Sequence, residues 1–401
     1  MVSYNVNKGY AIFLGTTSED FTGTLSDSKS CALTLESIKE EHFGNWKCKI
    51  SHNASELFQE AYLTVTPNGK STFIRLPKHA KPEEYEVYLT PFIEVDNFTI
   101  QGHVDILVNI VEDGAKNVTL HIDKLQIFEN TVKVVGQDKN NLKIEGFAYD
   151  EERNFFSILL AENLKGGETI QVSVDFMGEL NSDQTGFYRS SYFDEEKNQT
   201  EYLAVTQFEV TSARRAIPCF DEPQLKAKFK VNLGRLSDMN SISNMPTEYE
   251  GVPMADNDLY FWDMYQKSPV MSTYLLAFVI SRLSYKQSET LYNGVQLRVW
   301  TRKPFIAQTN LAGLIGPQIL EFYDQHYNLN YPLPKMDLVA VPDFSADAME
   351  NWGLITFREK SLLFKVKDSS ISEKEKIVKV LAHEMAHQWF GNLVTMEWWT
   401  E

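Results

Sequence analysis

The stretch HEMAHQWFGNLVTMEWW, residues 383–399, decides how this chain is read. Two histidines stand four apart, with a glutamate beside the first. Four helical residues turn through about 400°, so His383 and His387 fall about 40° apart on one face. The preceding residues carry the same helix backwards. Ile377, Val378, Leu381, Ala382, Met385 and Trp389 make one broad apolar stripe, with the histidines opposite it and Glu384 at its edge. Ser372 followed by Glu375 has capping-box spacing and predicts that the helix starts there. Such a helix buries one side and shows two imidazoles and a carboxylate on the other. Histidines one turn apart can bind a single zinc ion, and a glutamate held beside them can take a proton from water activated there. Without a metal they would be two solvated histidines on a polar helix face.

Upstream of this helix the pattern is α+β. An apolar repeat of helical period runs from Pro304 to Tyr327 through Ile306, Leu311, Leu314, Ile315, Ile319, Leu320 and Tyr323. A strand (MDLVAVP), a loop (DFSADAMEN) and a second strand (GLITFRE) follow. Before that, from Arg75 to about Ser284, the chain reads as repeated alternating strands. EYEVYLTPFI, QGHVDILVNIV, NVTLHIDKLQI, TIQVSVDFMG and LKAKFKVNLG each end at turn residues. PNGKS at 67–71 is a linker by its Pro, Asn and Gly. Residues 1–66 contain Gly44, Trp46 and Cys48 in a G-x-W-x-C arrangement after a strand-like run through Leu33, Leu35 and Ile38. This resembles the E–F corner of an immunoglobulin-like domain, of which the segment would be the C-terminal part. The alternative is a leader with no fold of its own. A Cys31–Cys48 disulfide is not expected, because Cys31 does not stand where the usual inter-sheet partner would.

The expected fold is mainly β and then α+β. It comprises a partial immunoglobulin-like segment (1–66), a large β-sheet domain (72–284) and a further domain from 285 to 401. The net charge of −17, from 38 basic and 55 acidic residues, excludes a nucleic-acid-binding role, which needs a basic face. No run of eighteen apolar residues occurs; YLLAFVIS at 274–281 has the length of a buried strand. The first residues lack the basic start and apolar core of an export signal. Sequons at Asn53, Asn97, Asn117 and Asn198 lean toward the secretory pathway. An extracellular or cell-surface protein is therefore expected, with a cytoplasmic one as the alternative. Membrane association would need an anchor outside these residues.

Three segments together resemble the gluzincin aminopeptidases of the aminopeptidase-N and puromycin-sensitive type: TQFEVTSARRAIPCFDEP at 206–223, DAMENWGLITFRE at 347–359 and the helix motif at 383–399. The resemblance runs from about Phe73 to Trp399. It implies that residues 285–401 are a thermolysin-like catalytic domain and that peptides with a free N-terminus are the substrates. It implies Zn2+ as cofactor, His383 and His387 as two of its ligands, and Glu384 as general base. Glu350 and Glu209 would grip the α-amino group, with Gln207 lining the same pocket. Asp347, Ala348, Met349 and Asn351 would complete the substrate edge, its backbone pairing with an extended peptide. Paired carboxylates at a fixed distance from the metal would limit cleavage to the first residue. Cys219 reads as packing, and Arg214 and Arg215 as braces for the acidic loop Asp221-Glu222.

Two departures from the family stand out. Asp347 replaces the family's Gly, placing bulk and negative charge near the scissile carbonyl. The family's third zinc ligand is a Glu nineteen residues after the second histidine. That position would be 406; Glu401 is fourteen after His387 and does not match. These residues are therefore expected to bind zinc incompletely. A rival class is a non-catalytic peptide-binding or adhesion protein on a degenerate peptidase module. Against it, an idle site has no physical need of a base beside two ligands.

Overall fold

A computed structural model describes residues 74–289 and 292–400, together with the backbone of six short strands between Tyr4 and Val65. The chain divides into two compact units, Met1–Ile74 and Arg75–Glu401. In the first, Tyr4–Asn5 pairs with Ser30–Cys31. A four-stranded antiparallel sheet runs in the order Asp20–Gly23, Tyr10–Leu14, Gly44–Ser51, Glu60–Val65. The side chains that would test the immunoglobulin-like reading, Trp46 and Cys48 among them, lie outside the described residues, as does the run through Leu33, Leu35 and Ile38.

The second unit is mostly β-sheet with few helices, as the alternating runs imply. Its largest sheet centres on Ala80–Pro91. Thr99–Ile110 pairs antiparallel on one side, with Thr169–Glu179 beyond it; Lys228–Leu236 pairs in parallel on the other, with Asn257–Tyr265 beyond. The period-2 pattern sets the faces. Val104, Ile106, Val108 and Ile110 are fully buried, as are Val172 and Val174 opposite them. The intervening positions carry the polar face. There the ring of His103 bonds the carboxylates of Asp175, directly across the sheet, and Asp105, at 3.2 Å.

The Asp105 bond, with Asp175 adding to it, lifts the His103 pKa from 6.5 to about 9 despite partial burial, while Asp105 falls to about 2. Because the folded value lies above the unfolded one, the contact stabilises fully below about 6.5 and is lost as pH rises through about 9. The pair is half-exposed, so the effect stays below about 1 kcal/mol. His103→Gln is expected to flatten the decline of unfolding stability across that window. An unchanged slope in denaturation curves from pH 6.5 to 9 would show that the contact is not formed in solution.

The α+β part forms a five-stranded sheet in the order Ser284–Gln287, Gln296–Thr301, Lys335–Val341, Leu354–Arg358, Ala348–Met349. Its three central strands are parallel, which requires crossovers. The helix Asn310–Tyr327 supplies one of them. The helical pattern from Pro304 resolves into two pieces, a 3-10 segment over Lys303–Thr309 and this α-helix. YLLAFVIS is buried throughout, but Thr273–Leu275 is a 3-10 turn and only Phe278–Ser281 is a strand. DFSADAMEN is not all loop: Ala348–Met349 turns back antiparallel onto Leu354–Arg358 and ends the sheet. Cys219 is buried and free, consistent with packing. Arg214 braces Asp221 at 2.9 Å, whereas Arg215 pairs with Asp183 at 2.7 Å, and Glu222 is held instead by Arg75.

Candidate active site

The helix carrying the histidines spans Ile371–Ala386. Its cap is Ser370 with Glu373, not Ser372 with Glu375. Ser370 Oγ accepts from the Glu373 N–H at 3.2 Å, and the Glu373 carboxylate accepts from the Ser370 N–H at 2.6 Å. Both pairs have the same spacing; the upstream one wins because two more residues join the helix and each adds a hydrogen bond. Ile377, Leu381, Met385 and Trp389 are buried on the predicted stripe, with Val378 and Ala382 half-buried. His383 is exposed opposite them.

The two imidazoles converge. His383 Nε2 and His387 Nε2 lie 3.1 Å apart, with the rings at right angles. His387 Nδ1 lies 2.9 Å from the Phe390 carbonyl, which can only accept, so this nitrogen bears the proton and Nε2 keeps its lone pair. A tight turn sets that bond. Gly391 has φ +123°, and a Cβ there would come 3.2 Å from His387 Nδ1. Asn392 N–H donates to the His387 carbonyl at 3.0 Å, and Lys226 Nζ ties the Asn392 and Leu393 carbonyls from the β-rich region.

Glu384 is buried, and its Oε2 has no protein partner. Burial first, then the charges of Glu350, Glu209 and Asp347, raise its pKa to about 8. Glu350 follows the edge strand. Its Oε1 lies 3.8 Å from His387 Nδ1, and its carbonyl accepts from Gln388 at 3.1 Å and Asn392 at 2.8 Å. Glu209 follows the strand Gln199–Gln207; loss of hydration and then Glu350 raise its pKa, while His387 lowers it. Gln207 is buried at that strand's end with its Oε1 unsatisfied.

Thus the structure brings Glu209, Glu350, Glu384 and His387 within electrostatic reach of one another, though they come from three separate segments. Ala348 is half-buried on the edge strand and Met349 packs into the core beneath it. Asn351 Nδ2 donates to Thr356 Oγ1 at 3.2 Å, bracing the turn that follows. The Asp347 carboxylate is engaged by Ser361 Oγ at 2.9 Å and Lys376 Nζ at 3.0 Å. Its negative charge is therefore compensated rather than standing free beside the reacting carbonyl, as the sequence suggested. Among the described residues no group of three or more His, Cys, Asp or Glu is set to hold a metal ion.

Several participants escaped the sequence reading. Gln388, inside the helix motif, joins the Glu350 and Glu384 carbonyls. Tyr274 donates to the Gly391 carbonyl at 3.0 Å, and its pKa is raised by burial and then by Glu350 and Glu209. Gln388 could have been suspected from its place between the histidine and the tryptophan; Tyr274 gave no local signal.

Residues 81–275 match the Peptidase M1 N-terminal domain and residues 314–401 the Peptidase family M1 domain. Aminopeptidase N of Bos taurus is 39% identical over 343 residues, covering 82% of this chain and 34% of that protein. Aminopeptidase Ey of Gallus gallus is 40% identical over 346 residues, covering 84% and 35%. The puromycin-sensitive aminopeptidase of Caenorhabditis elegans is 40% identical over 336 residues, covering 84% and 34%. The chain spans about a third of the length of the curated relatives it matches. Two matched domains in order, each where the β-sheet part and the histidine helix stand, place the chain in peptidase family M1.

Proposed function

We propose that this chain contributes the zinc helix and amine pocket of a metallo-aminopeptidase, which releases the first residue from peptides with a free N-terminus. The observation that carries the reading is the convergence of His383 Nε2 and His387 Nε2 to 3.1 Å beside the buried, unpartnered Glu384. Two nitrogens each about 2.0 Å from one tetrahedral zinc would stand about 3.3 Å apart, so the spacing fits. The Nδ1–H bond of His387 to Phe390 is the outer contact that orients a ligating histidine. His383 and His387 would hold the ion; a third protein ligand is not among the described residues. When bound, zinc supplies Lewis acidity to the scissile carbonyl and to water.

The chain's own residues do the rest. Glu384 takes the proton of the attacking water, because it is the buried carboxylate on the helix and its Oε2 has no protein partner. Glu209 and Glu350 bind the α-ammonium; burial and then the Glu350 charge raise the Glu209 pKa, and a cation between the two carboxylates relieves that repulsion. Gln207, with its unsatisfied Oε1, adds an acceptor to that pocket. The edge strand Ala348–Met349, with Asp347 just before it, pairs with the extended peptide, and Asn351 fixes the turn behind it. The rival reading, an idle peptide-binding module, leaves a buried base without use.

The β-rich region to about residue 284 and a thermolysin-like region from 285 are the domains we assign to the second unit, with residues 1–66 as a partial immunoglobulin-like segment. We place the protein outside the cell or at its surface. The sequon at Asn198, on an exposed hairpin turn, supports this. Among the described residues no helix is long and apolar enough to cross a membrane. The test of function is a matched pair of peptides, one with a free amine and one N-acetylated. The first is expected to lose its N-terminal residue and the second to survive. Equal cleavage of both, or release of internal fragments, overturns the reading.

A further inference from the structure

Asp347 stands at the start of the edge strand, and its carboxylate joins three elements. Ser361 Oγ, beyond the neighbouring strand, donates to Oδ1 at 2.9 Å. Lys376 Nζ, on the site helix, lies 3.1 Å from Oδ1 and 3.0 Å from Oδ2. The backbone carbonyl accepts from the Arg358 N–H at 3.0 Å. Both charged side chains are half-exposed, 46% for Asp347 and 47% for Lys376, so the pair lies at a solvent-facing rim rather than in the core.

Lys376 is seven residues before His383, two helical turns, and so shares the face of the histidines about 10 Å along the axis. At the other end Glu350 approaches His387. The edge strand therefore runs beside the helix in the same direction, with Asp347 next to Lys376 and Glu350 next to His387. This fixes which way a bound peptide lies, given the amine site proposed above, on which this inference rests. A peptide with its amine at Glu350 that pairs with the edge strand runs antiparallel to it, toward Asp347. The strand advances about 3.4 Å per residue, so the peptide's second and third residues come alongside Asp347 and Lys376. Those residues lie just beyond the cleaved bond.

We propose that Asp347 and Lys376 form a charge-balanced pair that keeps the second and third residue positions of the substrate open to side chains of either charge. Each charge alone would select. Lys376 first and then Ser361 hold the Asp347 carboxyl below the ordinary carboxylate value; without Lys376 a half-exposed carboxylate is still ionised near neutral pH. Lys376 masks it. The intact pair presents no net charge and accepts acidic, neutral and basic residues alike. An unmasked Asp347 attracts a basic side chain and repels an acidic one; an unmasked Lys376 does the reverse.

The test uses a protein that also carries the third zinc ligand, zinc-loaded, in four forms: wild type, Lys376→Met, Asp347→Asn and the double variant. The probes are peptide amides with a free amine that differ only in carrying Lys, Gln or Glu at the third residue. The readout is the Lys-to-Glu ratio of kcat/KM. The same ratio is taken for Kd on a Glu384→Gln background, where binding is read without turnover. The wild-type ratio is expected near one. Lys376→Met should raise it about fivefold and Asp347→Asn lower it about fivefold, the size of a half-exposed charge contact. The double variant should return it near one. A merely structural tie would change all three peptides equally and leave every ratio unmoved. Unmoved ratios, or two single variants shifting the same way, overturn the proposal while leaving the aminopeptidase reading intact. If the wild type neither binds nor cleaves any free-amine peptide, that reading fails, and the pair's role falls with it.

Discussion

In a protein that also carries the third zinc ligand, Glu384→Gln is expected to keep zinc bound and to lower turnover by about 10²–10⁴-fold, the usual contribution of a general base. Glutamine has nearly the same shape, so the helix, its Ser370 cap and the stripe of Ile377, Leu381 and Met385 are undisturbed. The ligand geometry set by the Phe390 carbonyl and Gly391 does not involve Glu384. What disappears is the buried carboxylate beside the two histidines that is proposed to accept the proton. Steady-state kinetics together with metal analysis decides the matter. A variant that turned over like the wild type would remove Glu384 from the mechanism. One that lost zinc as well would make the effect structural.

The second large effect concerns stability rather than catalysis. Asp337, in the central strand Lys335–Val341, is completely buried, and its carboxylate accepts from Arg298 at 2.6 and 2.7 Å and from Trp300 Nε1 at 2.7 Å. Lys335 Nζ lies 2.7 Å from it and also donates to the carbonyls of Ser243 and Gly353. Burial holds Lys335 down to about 8 even with Asp337 beside it. Asp337→Ala would leave a buried ammonium and a guanidinium with no counter-charge. Removing one partner of such a pair costs about 3–5 kcal/mol. Urea unfolding should show this loss, and pairing Asp337→Leu with Lys335→Met should recover part of it. A single variant as stable as the wild type would mean that water reaches the cluster. Gly353 opens the strand that carries the edge-strand pairing, so loosening here is felt at the substrate rim too.

How much of this could be read in advance depends on the range of the interaction. The residues 371–390 were legible because helical period is a local property. The apolar stripe and the two histidines stand where the spacing put them, whereas Glu384, expected on the shown face, is buried. The cap slipped by two residues only because two overlapping serine–glutamate pairs compete there. The alternating strands were legible for the same reason, since each face of a sheet is fixed by a period of two.

Pairing was not legible, because it depends on residues far apart in sequence. Nothing local in DFSADAMEN marks Ala348–Met349 as an edge strand; it becomes one because Leu354–Arg358 offers it an open side. The family resemblance nominated Glu209 and Glu350, yet only the fold brings them to His387 from 178 and 37 residues away, as the numbering gives. Asp347 shows the division most clearly. By itself the sequence determined a carboxylate at the head of the substrate edge, and its charge read as an obstacle to catalysis. Only the tertiary structure set Lys376 and Ser361 against it, because two helical turns place Lys376 on the histidine face just where the edge strand begins. Side-chain identity and local period fix what charge a position carries; the packing of strand on helix fixes what that charge meets.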